Sequence, residues 1–379
     1  MITIIGGELL SALGSRSERR RSLLAGHNPR ELVKVRVGER LAPYPYYRLD
    51  QAPRFSSSAI VDNYLDRTVR LLQTNLNLQL SDLKGIGVFL GASAIDYSLA
   101  GPLEENVDPA FIDRCERQRV GAGGYLDSLM RRQTLEGPAL TCNTACTSSA
   151  NALINAAALL NGGLIDHALV LGLELYSPTT LEGFAMLQLL SSSGMRPFDR
   201  NRDGIVLGEA VGAVLLSREE ISPSPWRYLG GASRCETYSV SGTEPSGEGL
   251  ARVMRAALQD AGLKAEDISA IKAHATASEL NDRAEMRALE QIFHRMPPIV
   301  ALKPYIGHTL GACGTAELVL LMESVGAGFL PATLNFTVLE NEFRNPPLQE
   351  VLPLHQGVFM LNYFGFGGNN TVFIVKRTA

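Results

Sequence analysis

At 379 residues the chain is long for one compact core, and its length favours two domains or halves. With 45% hydrophobic and 20% charged residues it has the composition of an ordinary soluble globular protein, and a net charge of −4 leaves no electrostatic footprint for nucleic acid. No apolar run reaches the ~18 residues that span a bilayer. Five scattered cysteines form neither a disulfide framework nor a CxxC zinc pattern. The first residues, MITIIGGELLSALG, place an apolar run before the charges, the reverse of a secretory leader, so a reducing cytoplasmic location is expected.

In chain order, the periodicity predicts a helix over Ser58–Leu76 and a buried strand over residues 85–93. The stretch 138–162, PALTCNTACTSSANALINAAALLNG, reads as an apolar entry, a turn of small polar residues around Cys142 and Cys146, and a helix apolar on nearly every side. Buried strands follow at 167–176 and 210–217, then the Pro/Ser-rich break ISPSPW at 221–226, then a helix at 249–261. Such alternation predicts an α/β fold with largely buried sheets. Three segments also echo one another in the same order across the break: SDLKGIGVFLGAS with EDISAIKAHATAS, ALTCNTACTSSANALINAAALL with IVALKPYIGHTLGACGTAELVLL, and HALVLGLELY with GVFMLNYFGF. The echo reads either as a duplicated α/β unit or as chance likeness among generic strands. The expected boundaries are 1–220 for the half carrying Cys146 and 227–379 for the half carrying His274 and His308.

Cys146 would sit at the N-terminus of a helix starting near Thr147, where free N–H groups and the dipole favour an anion. That setting predicts a thiolate of lowered pKa, against the plain alternative that a buried cysteine simply packs. Cys142 reads as core on the incoming strand, and Cys115, Cys235 and Cys313 as structural. His274 and His308 both follow strand-like runs and precede turns rich in small residues, so one cysteine and two histidines form a candidate nucleophile and acid/base set. His27, His167, His294 and His355 lack that setting. NYFGFGGNN at 362–370 is either a bulged turn or a loop whose N–H groups face an oxyanion. The charges of RPFDRNRDGIVLGEAVGAVLL at 196–216 read as loop-stabilising ion pairs.

These residues resemble the elongating β-ketoacyl-acyl-carrier-protein synthases of the thiolase superfamily. NTACTSSANAL is similar to their nucleophile motif, HATASELNDRAE to H-G-T-G-T-x-x-x-D-x-x-E, and KPYIGHTLGACGTAE to K-S-x-x-G-H-x-x-G-A-A-G-x-x-E. NYFGFGGNN and RPFDRNRDGIVLGEAVG match two further motifs, in the family's order. The resemblance implies a thiolase-like fold, two pseudo-duplicated halves forming a five-layered α-β-α-β-α core, and an obligate dimer. It implies decarboxylative Claisen condensation of an acyl group on Cys146 with malonyl-carrier, with His274 and His308 promoting decarboxylation and stabilising the enolate. Lys303 and Glu317 would form a charged pair supporting the site beside the second histidine. Phe366 would gate the site and, with Cys146, supply the oxyanion-hole N–H groups. Thr276 and Ser278 would line the phosphopantetheine channel, and Phe184, Met186 and Leu187 the acyl pocket. No metal or redox cofactor is implied, since the substrates travel on the phosphopantetheine of an acyl-carrier protein.

The sequence departs from the family at Ala275, Ala277 and Ser278, at Asn281, and at Cys313, which stands where alanine is usual. The stretch 97–138 also reads as short. These changes keep two alternatives open: a non-condensing, chain-length-factor-like subunit of a heterodimer, and an acyltransferase without condensation. The four retained residues Cys146, His274, His308 and Lys303 favour the enzyme. The expected partners are the carrier protein and a second ketosynthase-like chain, as homodimer or heterodimer. Arg16, Arg19, Arg20 and Arg21, or Arg67 and Arg70, are the candidate carrier dock.

Overall fold

The computed structural model describes residues 1–49, 58–94 and 121–379; Cys115 and much of the stretch 97–138 lie outside the described residues. Strand β1 (Ile2–Ser11) leads into helix α1 (Arg16–Ala25), the hairpin β2 (Glu31–Val37) and β3 (Arg40–Tyr46), and helix α2 (Ser58–Leu76). Then come β4 (Gly87–Ala92), α3 (Ala122–Gln133), β5 (Ala139–Cys142), α4 (Ser148–Asn161), β6 (His167–Glu174), α5 (Pro178–Met186) and β7 (Ala210–Ser217). After the Pro/Ser break the chain forms β8 (Trp226–Cys235), α6 (Glu248–Asp260), β9 (Ala270–Lys272), α7 (Glu279–Ile292) and β10 (Ile299–Val300). A helical turn at Lys303–Ile306 precedes α8 (Cys313–Gly326), the two-residue strands β11 (Phe329–Leu330) and β12 (Leu352–Pro353), and the closing hairpin β13 (Gly357–Phe364) and β14 (Asn369–Arg377).

The strands before the break lie in the order β5-β4-β6-β7-β1, and those after it in the order β10-β9-β13-β14-β8. Each set has two parallel pairings followed by two antiparallel ones. The three echoed segments therefore occupy matching places: β4 with β9, β5 and α4 with β10 and α8, and β6 with β13. The two five-stranded sets join at one edge, where Ile2 and Thr3 of β1 pair with Tyr228 and Arg227 of β8, making one continuous ten-stranded sheet.

Helix patterns explain the layers. In α6 the buried residues Leu250, Val253, Met254, Ala257 and Leu258 recur at helical spacing on one face, and the opposite face meets solvent. Helix α8 is buried almost throughout and α4 over most of its length, because each lies between the two strand sets and against the other. The strands beside them follow suit: all eight residues of β6 and of β7 are buried, which is why they read as continuous apolar runs. With α2 and α3 outside one set and α6 and α7 outside the other, the fold is the five-layered thiolase-like arrangement.

The two central helices approach closely because glycine allows it. A Cβ on Gly314 would lie 2.2 Å from the backbone nitrogen of Ala150. This contact holds the starts of α4 and α8 side by side, and the residues just upstream of both helices build the site.

One expectation about the surface is corrected here. Arg19 is buried, its guanidinium bonded to Glu8 and Glu323 at 2.6 Å each and to the Leu9 carbonyl at 2.5 Å. It ties α1 to the core and is unavailable to a partner, whereas Arg20, Arg21, Arg67 and Arg70 are exposed. Cys235 is likewise exposed at the end of β8, so it is not core filler.

Candidate active site

The chain leaves β5 at Cys142, makes a 3-10 turn over Ala145–Thr147 and enters α4 at Ser148. This puts Cys146 one turn ahead of the helix, with Ala145 forced to a positive φ of 52°. In the matching corner between β10 and α8, His308 lies just before the 3-10 turn Leu310–Ala312. The two side chains meet: His308 Nε2 is 3.1 Å from Cys146 Sγ. The other ring nitrogen, Nδ1, lies 3.2 Å from Cys313 Sγ, so a residue read from sequence as merely structural touches the site.

His274 follows β9 in a loop held open by two carboxylates. Glu285 accepts the N–H groups of His274 and Ala275, each at 2.8 Å, and Asp282 accepts those of Ala277 and Phe198 at 3.1 and 2.7 Å. Asp282 and Glu285 are three residues apart on α7 and so share one face. Their grip explains how Ala275 and Ala277, standing where glycine was expected, hold φ values of 49° and 63°. The D-x-x-E spacing after His274 is the sequence signal for this brace. The ring of His274 packs edge-on to that of His308 with centroids 5.4 Å apart.

Lys303 donates to Glu317 Oε1 at 2.7 Å and to Nδ1 of His274 at 3.3 Å. The charged pair therefore supports the first histidine, not the second. A second buried lysine, absent from the sequence reading, shares the same carboxylate: Lys272 donates to Glu317 Oε2 and to the Asn362 carbonyl, both at 2.6 Å. All three side chains are fully buried.

Burial sets the protonation states. It holds the His274 imidazole well below its ordinary range, helped by Lys303, His308 and Lys272, and does the same to His308 with help from both lysines. Both rings are neutral. Because Lys303 can only donate to Nδ1 of His274, that ring carries its proton on Nε2. Burial also pushes the Cys146 thiol up to about 12, although Lys303 and the backbone N–H groups of Phe366 and Cys146 itself pull the other way. The expected resting thiolate is thus corrected to a thiol. The helix N-terminus is present, but desolvation outweighs it.

A cavity of about 310 Å³ opens onto these groups, lined by Cys146, both histidines, Thr276, Ser278 and the stacked rings of Phe184 and Phe366, whose centroids are 5.6 Å apart. Thr276 and Ser278 hydroxyls bond each other at 3.0 Å. Met186 and Leu187 are not part of this wall: each is 60% exposed, at the end of α5. The charges of the 196–216 loop are chiefly structural, with Asp199 accepting from the backbone at Thr337 and Val338 and Arg202 paired to Glu340 at 3.0 Å, though Arg202 and Asp203 also border the cavity.

Residues 70–221 match the N-terminal domain of β-ketoacyl synthases, and residues 227–337 match their C-terminal domain. The chain belongs to the β-ketoacyl synthase family. Among curated relatives of this family, the chain is 32% identical over 253 residues to the chloroplastic 3-oxoacyl-[acyl-carrier-protein] synthase I of Hordeum vulgare, covering 63% of this chain and 55% of that one. It is 33% identical over 263 residues to a 3-oxoacyl-[acyl-carrier-protein] synthase 2 of Synechocystis, covering 64% and 62%. The alignments thus span about half to three-fifths of these relatives' length. Among solved structures, it superposes with a TM-score of 0.85 and 26% identity on a chain from the complex of a ketosynthase with its chain length factor from Xenorhabdus doucetiae, covering 100% and 98%. A type II PKS ketosynthase complex with its acyl-carrier protein matches in fold at TM-score 0.88 and 19% identity, covering 100% and 99%. Among the described residues no helix is long and apolar enough to cross a membrane.

Proposed function

We propose that the protein is a condensing acyltransferase, an elongating β-ketoacyl-acyl-carrier-protein synthase, with Cys146 as nucleophile and His274, His308 and Lys303 as its catalytic partners. The observation that carries this reading is the 3.1 Å contact between Cys146 Sγ and His308 Nε2, in a cavity that also exposes His274.

In the first half-reaction the Cys146 proton passes to His308 Nε2 as sulfur attacks the acyl thioester. The N–H groups of Cys146 and Phe366 face the oxygen that becomes negative. The carrier's sulfur leaves and takes the proton, giving free carrier thiol and acyl-Cys146. A thiol both donates and accepts hydrogen bonds, so Cys313 at Nδ1 lets His308 carry its proton on either nitrogen as this shuttle needs. In the second half-reaction the bond from malonyl carbon to its carboxylate breaks, CO2 departs, and the electron pair forms an enolate. The N–H of His274, and that of His308, hydrogen-bond its oxygen. The enolate carbon attacks acyl-Cys146, a C–C bond forms, and sulfur leaves as a thiolate that takes up one proton from solvent by way of His308. Glu317 holds Lys303, and Thr276, Ser278 and Phe184 line the path of the phosphopantetheine and acyl chain, with Phe366 as gate. The substrates bring phosphopantetheine on the carrier protein, and the chemistry asks for no bound cofactor.

The two halves, 1–220 and 227–379, are proposed as the units that bring nucleophile and histidines together; the sheet order and the two matched family domains support that division. For the partner we propose a second ketosynthase-like chain at the free edge of β5, where Ala139, Leu140 and Thr141 are exposed and Leu140 is 42% accessible. Arg67 and Arg70, or Arg16, Arg20 and Arg21 without Arg19, are the carrier dock.

The test is intact-protein mass spectrometry after mixing the protein with acyl-carrier thioesters and then malonyl-carrier. The expected result is an acyl adduct on Cys146, absent in Cys146→Ala, discharged as a β-ketoacyl product. A folded protein that takes up no acyl group would refute the enzyme and point to a pocket-shaping subunit.

A further inference from the structure

Lys272 has no role in the chemistry above, yet it is a fully buried ammonium, and buried lysines are rare without a compelling partner. It lies at the end of β9, two residues before His274. Its Nζ bonds Glu317 Oε2 and the Asn362 carbonyl and stands 3.5 Å over the Tyr363 ring. Lys303 takes the other oxygen of the same carboxylate and reaches on to His274. Two ammonium groups therefore share one carboxylate beside two buried imidazoles.

We propose that Lys272 is a positioning residue: shared with Lys303 across Glu317, its charge adds to burial and to Lys303 in keeping His274 and His308 neutral, so that they hydrogen-bond the malonyl-derived enolate without protonating it. This rests on the condensing reading. The groups facing Lys272 are Glu317 and Cys313 from α8, Lys303 from the helical turn, Tyr363 from β13, Glu285 from α7, and the two histidines. Of the two carboxylates, Glu317 is taken up by the lysines, and Glu285 by the N–H groups of His274, Ala275 and Asn362. Any proton added to either imidazole thus meets the field of both ammonium groups.

Neutrality decides the fate of the enolate. An imidazolium is acidic enough to give its proton to the enolate carbon. Malonyl-carrier plus that proton then becomes acetyl-carrier and CO2, with the imidazole reprotonated from solvent and acyl-Cys146 left unextended. A neutral imidazole N–H is a far weaker acid; it stabilises the oxygen and leaves the carbon nucleophilic.

The experiment uses Lys272→Gln, whose amide can still reach Glu317 and the Asn362 carbonyl, and Lys272→Met, which fills the space without polarity. Acyl-Cys146 protein is given malonyl-carrier from pH 5.5 to 8, and acetyl-carrier and β-ketoacyl-carrier are quantified. Both variants are expected to move the acid limb of condensation up by about one pH unit. At pH 6 their ratio of acetyl to β-ketoacyl product is expected to rise about fivefold or more over wild type. Histidine NMR titration, which needs no substrate, should find His274 and His308 neutral to below pH 6 in wild type and titrating higher in the variants. A purely structural lysine lowers rate or stability alike at all pH values with the product ratio unchanged, and that result overturns the proposal. So does a wild-type titration of either histidine in the ordinary range, even if neither variant folds. Failure of wild type to acylate Cys146 sinks the condensing reading instead, and the titration still decides the role of Lys272.

Discussion

Replacing Gly314 by alanine tests whether the packing of the two central helices sets the catalytic geometry. The new methyl would stand 2.2 Å from Ala150 N, 2.6 Å from the carbonyl carbon of Ser149 and 2.7 Å from Ala150 Cα, all backbone atoms of the first turn of α4. Ordinary contact begins near 3.4 Å, so α4 and α8 must part by about 1 Å. Cys146 rides just ahead of α4 and His308 just ahead of α8, so the 3.1 Å contact between them stretches towards 4 Å. Misplacement on that scale costs about 100-fold in rate. Overpacking costs about 1–3 kcal/mol, partly offset by the ~1 kcal/mol that alanine gains over glycine inside a helix. The assay is single-turnover acylation of Cys146, followed by mass spectrometry, beside urea unfolding. Gly326→Ala is the control: it ends the same helix with nothing within 4 Å of the added methyl, and should leave the rate unchanged and the stability equal or slightly higher. Acylation by Gly314→Ala within twofold of wild type would refute the reasoning, since the clash would then be absorbed without reaching the site.

Two further outcomes follow from the buried charges. Glu317→Gln leaves Lys272 and Lys303 without a counter-ion and should destabilise the protein by about 3–5 kcal/mol at pH 7. Both lysines would then have folded-state pKa values below the unfolded value, so the unfolded chain binds more protons and stability of the variant rises with pH. In wild type only Lys272, pushed down to about 8 by burial and by Lys303, behaves this way, while Glu317 holds Lys303 above its ordinary value. The gap between variant and wild type, read from urea midpoints, should therefore narrow from pH 7 to pH 10; a constant gap contradicts the account. The Cys146 thiol, pushed up to about 12, predicts that its alkylation by iodoacetamide rises about tenfold per pH unit from 6 to 9, tracked by mass spectrometry apart from exposed Cys235. A plateau below pH 8 would mean that the helix N-terminus prevails over burial after all.

What was legible in the sequence was whatever repeats along the chain. Buried strands such as β6 and β7 declare themselves as unbroken apolar runs, and α4 and α8 as helices without a polar face, because each is covered on both sides. The echo between β4, β5, α4 and β6 and their counterparts survived as a pattern of apolar entry, small-residue turn and buried helix, and it placed Cys146 and His308 at matching corners. The cavity residues Thr276, Ser278, Phe184 and Phe366 came only with the resemblance, since nothing in their local pattern marks them. Illegible were effects that depend on what lies across the fold. A helix N-terminus can be read from a run of small residues, but the desolvation that reverses its influence on Cys146 comes from residues brought in from elsewhere in the chain, such as Tyr46, Leu181, Ile205 and Leu310. Arg19 reads as one of a basic cluster because Glu8 and Glu323 approach it only in three dimensions.

The same reasoning explains why the alanines after His274 do not prevent the family's loop from forming. Glycine is the economical residue at a positive φ, yet Ala275 and Ala277 adopt one because two carboxylates from α7 bind the very N–H groups that the left-handed conformation turns inward. The strain, roughly 1–2 kcal/mol per residue, is set against the hydrogen bonds that these N–H groups donate to the buried carboxyl groups. Both alanine methyl groups are also fully buried, so the substitution adds apolar contact that glycine lacks. This departure from the family pattern sits beside a second departure in the site, Cys313 against His308, and both bear on the imidazoles: one braces a backbone, and the other gives Nδ1 a partner that can donate or accept.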